Sequence, residues 1–145
     1  MVRPALAILT MIASSSAFAD DAVRDARAAF LWKMNCQGCH QADARGSAGG
    51  APDMRGYVSR FLSVDGGRAY LGRVPGVAFA PMSDADIANL LNWTLKEYDG
   101  GHIPEDFKLY SAEELGHLRK NALIENAKSE REALVRKLAE ISQTN

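Results

Sequence analysis

Several things are scarce in this sequence, and each scarcity narrows the reading. No apolar run reaches the roughly 18 residues that a membrane-crossing helix needs. No charge of one sign dominates: 17 Lys and Arg stand against 18 Asp and Glu, so there is no basic surplus to compete for nucleic-acid phosphates or anionic lipid. Alternating strand-like patterns never extend beyond a few residues, and no internal repeat is visible, which points to an all-α architecture. Cysteine is rare, with two residues, and histidine nearly so, with three. A structural zinc site needs four ligands, and there is no second paired motif to complete one. The chain has 145 residues, enough for one domain with a surplus for tails.

The start of the chain reads as a secretory signal. Arg3 gives a positive n-region, Ala5 to Ala13 an apolar h-region, and Ala17-Phe18-Ala19 a small-x-small cleavage site. The apolar part is about half of what a spanning helix requires. Cleavage is expected after Ala19. It would remove one charge, Arg3, and leave a mature chain at a formal −2, with 16 basic against 18 acidic residues. Export implies an oxidising compartment, the periplasm, where two cysteines would ordinarily pair.

Helical spacing recurs along the rest. Val23, Ala26, Phe30 and Met34 suggest a helix over 22–35. Residues 41–56 are punctuated by Gly46, Gly49, Gly50, Pro52 and Gly56 and read as a loop. Two short helices are expected over 57–74, broken at Gly66-Gly67 and ended by Pro75-Gly76. Ser83 with Asp86 caps a helix over 84–98, whose Ile87, Leu90, Leu91, Leu95 and Tyr98 share a face; Gly100-Gly101 stops it. After a connector with Pro104, Ser111-x-x-Glu114 opens a last helical segment, continued by Leu134, Leu138 and Ile141. The expected organisation is a leader over 1–19, a domain over 20–100, and a connector with a helical extension over 101–145.

The string with chemical content is Cys36-Gln37-Gly38-Cys39-His40. Two thiols two residues apart can reach the two vinyl groups on one edge of a haem, and the following histidine can give its iron an imidazole nitrogen. Three other uses of such a pair compete. A thioredoxin-type dithiol is expected after a strand in a βαβ unit, and here a helix precedes it. Zinc lacks ligands. A plain disulfide is unusual at this spacing, where the pair is commonly reactive. Haem c, one per chain, is therefore the expected cofactor, with Cys36 and Cys39 binding it and His40 on the iron.

These residues resemble the class I monohaem c-type cytochromes. A helix runs straight into C-x-x-C-H at Ala26–Asn35. Residues 83–93 (SDADIANLLNW) resemble the later helix that crosses the first, with Trp93 at the family's aromatic position near Phe30. Ala51-Pro52-Asp53-Met54 resembles the family's proline after the motif. The likeness covers about residues 22–98. It implies a periplasmic electron carrier, not an enzyme, meeting redox proteins such as a dehydrogenase or a terminal oxidase.

One feature departs from the family. A methionine is usual a few residues before the serine that caps the last core helix, and Val77 stands there. Met82 is the first choice for the second axial ligand. Met54, which could instead pack on the ring, and His102 are the others; His117 reads as a surface residue. If no side chain fills that position, a five-coordinate iron binding peroxide or a diatomic gas becomes the alternative; a haem subunit of a larger redox complex, docking through 111–141, is another. Softer expectations concern Arg55, Tyr57 and Arg60 as partners of the haem propionates, and Trp32, Phe61, Phe79 and Trp93 as core. Arg119, Lys120, Lys128, Arg131, Arg136 and Lys137 read as a solvated helix face.

Overall fold

A computed structural model of the chain describes residues 13–144. Among them every regular element is helical. The order is α1 (Ala13–Asn35), α2 (Gln37–His40), a 3-10 segment (Val58–Ser63), α3 (Gly67–Arg73), α4 (Pro75–Ala78), α5 (Asp84–Asp99), a 3-10 turn (Gly100–His102), α6 (Ala112–Arg119) and α7 (Ala127–Thr144). The all-α expectation holds. Residues 1–12 of the expected leader lie outside the described residues, and residues 13–19 form the start of α1.

The capping chemistry read from the sequence is present. Ser83 accepts a hydrogen bond from the Asp86 amide at 3.1 Å, and Ser111 accepts one from the Glu114 amide at 3.1 Å. Each fixes where its helix begins, and so which face turns inward. Pro75 does more than end a segment. It occupies the first turn of α4, where a missing N–H costs nothing.

α1 packs across α5. The face it buries differs from the one expected. Ala28 and Trp32 are buried, one helical turn apart, while Val23, Phe30 and Met34 are exposed. The large ring of Trp32 sets the rotation of the helix, and the small Ala28 lets α5 approach. Trp32 meets Trp93 at 6.2 Å and Tyr98 at 4.8 Å between ring centroids, so Trp93 finds its aromatic partner in Trp32. Phe79, expected in the core, is exposed as well. Outside this seam Arg27 grips Asp86 with two hydrogen bonds of 2.6 and 2.7 Å.

The C-terminal segments share the same core. Tyr110, Leu115, Leu123 and Leu134 are buried with Ile87, Leu91 and Leu95. α6 lies on α5, and α7 reaches back to α3 and the Val58–Ser63 segment. Arg119, expected in a solvated face, is a staple instead. Its guanidinium donates to the carbonyls of Ala78, Ala80 and Met82 at 3.2, 2.7 and 3.1 Å and pairs with Asp84. Only 15% of its side chain is exposed.

Candidate haem site

α1 continues almost without interruption into the Cys36–His40 turn. The Cys36 amide donates to the Trp32 carbonyl at 2.9 Å, and the His40 amide to the Cys36 carbonyl at 3.0 Å. Cys36 is half-buried, Cys39 is exposed, and both are free thiols. Burial, with the nearby Cys39 sulfur, pushes the Cys36 thiol up to about 11. At neutral pH it is a protonated thiol, unlike the low-pKa thiolate of a redox dithiol.

The loop after the motif folds back over His40. The Gly46 amide donates to the His40 carbonyl at 2.9 Å, and the Ser47 amide to the Ala51 carbonyl at 3.0 Å. Gly46 is obligatory here. Its φ is +66°, and a Cβ would stand 2.1 Å from the Ala51 oxygen. This close crossing brings Pro52 toward His40. Tyr98 of α5 ties the loop down by donating its hydroxyl hydrogen to the Ala42 carbonyl at 3.1 Å.

His40 is one wall of a cavity of about 610 Å³. The cavity's apolar surface comes from Met54, Val58, Phe61, Leu71 and Val74, among others, and part of its far side from Ala127, Lys128 and Arg131 of α7. Burial lowers the His40 pKa, opposed in part by the Pro52 carbonyl, so the imidazole is neutral near pH 7 and ready to donate a lone pair to a metal. Its Nδ1 is buried without a hydrogen-bond partner of normal geometry; Pro52 influences the ring without making such a bond. Trp32 Nε1, whose ring lies 5.8 Å from the imidazole, is also unpartnered. Buried polar groups in a finished core are almost always paired. An apolar cavity of this size, a neutral histidine left incomplete on its wall and two free thiols on the adjoining turn fit a flat macrocycle attached through its edge.

The other expected site residues are scattered. Met82 is not among the cavity's lining residues; it packs partly buried against the core, and its carbonyl is held by Arg119. Met54 does line the cavity. His102 is engaged on both sides: Arg60 donates to Nε2, and Nδ1 meets the buried Asp99. Neither nitrogen is free for iron. Arg55 is committed to Asp53 and Asp43, and Arg60 to Gly56 and His102, so the arginines expected at the propionates are used elsewhere. Tyr57 does line the cavity.

An all-α domain with a C-x-x-C-H turn opening onto an apolar cavity is the build of a haem-attaching protein. The Cytochrome c family profile matches residues 25–96, and the chain belongs to the cytochrome c family. It is 32% identical over 106 residues to cytochrome c-552 of Thermus thermophilus, covering 61% of this chain and 81% of that protein. A second cytochrome c-552, from another strain record of Thermus thermophilus, is also 32% identical, with 61% and 72% covered. No solved structure matches the chain. Covalently attached haem c, with its iron, is the cofactor of this family, whose members transfer electrons.

Proposed function

We propose that this chain is an exported electron carrier of the periplasm. In this reading Cys36 and Cys39 bind one haem c, and His40 ligates its iron. The observation that carries it is His40 itself: neutral, on the wall of an apolar cavity, left with a buried unpartnered nitrogen, one residue after Cys39. The haem supplies one-electron cycling between ferric and ferrous iron. The chain's part is to keep water from the ring and hold its contacts still, so that little rearranges on transfer. Trp32, Trp93 and Tyr98 back the motif turn, and Gly46 and Tyr98 hold the loop over it. Exposed Phe30 and Met34, in the two turns of α1 before Cys36, offer apolar contact for a brief encounter with a redox partner, a dehydrogenase or a terminal oxidase. The leader over residues 1–19 supports export, and among the described residues no helix is long and apolar enough to cross a membrane.

The test is the double variant Cys36→Ala/Cys39→Ala. Haem should no longer travel with the chain through denaturing electrophoresis; a persisting haem band would overturn the reading. Met82 is the ligand proposed opposite His40, which requires its segment to turn its sulfur into the cavity. Met82→Ala should then change the haem spectrum, lower the potential and admit carbon monoxide. If Met54→Ala does so instead, the cavity-lining methionine is the ligand. If neither does, the iron is open on that side and a gas- or peroxide-binding role replaces the carrier.

A further inference from the structure

α7 begins beyond residue 96, where the family match ends, and its sequence reads as a solvated charged helix. Its position says otherwise. Ala127, Arg131, Leu134 and Leu138 recur at helical spacing and share one face. Leu134 is buried in the core and Leu138 packs against it, while Ala127, Lys128 and Arg131 line the cavity that holds His40. Lys137 fastens the helix to the Asp65 carbonyl at 3.0 Å. The Arg131 guanidinium stands over the rings of Tyr57 and Phe61, 5.9 and 6.0 Å from their centroids, both on the cavity wall.

The charges around this cavity do not balance. Its acid, Asp53, is taken up by Arg55. Lys128 and Arg131 make no ion pair among the described residues, although α7 is rich in glutamate. Two cations without carboxylate partners therefore face an apolar cavity. A haem carries two carboxylates on one edge, and such groups need cationic or hydrogen-bonding partners wherever they approach a low-dielectric wall.

We propose that α7 completes the haem site, with Lys128 and Arg131 meeting the two haem carboxylates across the cavity from His40. The inference rests on the haem reading above. It gives the C-terminal helix a role in setting the reduction potential, since a cation beside the ring disfavours the ferric form, which carries one more positive charge.

The test uses the full-length holoprotein. In Lys128→Gln, Arg131→Gln and the double variant the potential should fall in that order of severity. The double variant should lose about tenfold in the reduction equilibrium, equivalent to about 59 mV for one electron. Arg131→Lys, which keeps the charge, should stay near the wild type, and so should Arg136→Gln, which removes a cation on the same helix but outside the cavity lining. A double variant whose potential matches that of Arg136→Gln overturns the proposal. Should the double variant fail to accumulate, the single variants carry the same comparison. Failure of the haem reading is separately visible, because the cysteine double variant would then keep its haem band.

Discussion

The turn around His40 and the junction of α5 with α6 hold together in opposite ways. The turn has no buried residue in α2, and the two unpartnered buried side-chain atoms found among the described residues, on Trp32 and His40, gather there. The junction closes itself. Leu95 and Leu115 are fully buried, and Asn92 exchanges two hydrogen bonds with the Tyr110 backbone at 2.9 and 3.0 Å. The Tyr110 hydroxyl donates to the Arg68 carbonyl at 2.8 Å, and Arg68 in turn grips Glu114 with two bonds. One region is completed by its own side chains. The other leaves its polar atoms and apolar wall for something the polypeptide does not contain.

This contrast predicts where substitutions act. Leu115→Ala, at the self-completed end, should cost about 2–5 kcal/mol, through lost transfer energy and a cavity that α5 cannot collapse to fill. Chemical denaturation should show that loss with or without haem. A loss confined to the apo form would erase the distinction. Gly46→Ala acts at the other end. It forces a side chain into a left-handed backbone against the Ala51 carbonyl and should cost about 1–3 kcal/mol. Its sharper signature is a lower yield of attached haem at unchanged helix content, read from absorbance and circular dichroism. Arg119→Ala strips the donors from three carbonyls and should also cost about 1–3 kcal/mol. Hydrogen exchange should then rise around residues 78–84 and not around 36–46; a rise at the motif would show that the two regions are coupled.

The smallest effect concerns Tyr110. Burial raises its hydroxyl pKa well above 10, the ordinary value. The folded form thus disfavours ionisation more than the unfolded one. Its contribution is fully present below pH 10 and is lost as pH rises through the higher folded value. Tyr110→Phe should cost about 1 kcal/mol at neutral pH for the lost hydrogen bond. It should also flatten the decline in stability above pH 10. An unchanged alkaline decline would assign that decline to other groups.

Much of the fold was legible because it is local. Helix starts at Asp84 and Ala112 follow from a serine and the amide three residues on, and the motif turn is contained within five residues. The orientation of α1 was not legible. Phe30 and Met34 share helical spacing just as Ala28 and Trp32 do, and periodicity alone does not say which stripe meets α5. His102 looked available because its partners, Arg60 and Asp99, are identified only once the chain is folded.

What the sequence determined by itself is what short segments decide: an all-α chain, its caps, and a haem-attachment string with an adjacent histidine. What only the tertiary structure decided are the pairings across distance. Arg119 became a clamp on the 78–82 segment, Asp53 claimed Arg55, and α7 brought Lys128 and Arg131 to the cavity of His40. The physical reason is that an arginine in sequence is a cation with five donors and no assigned acceptor. Which carbonyl or carboxylate it meets depends on how distant helices pack.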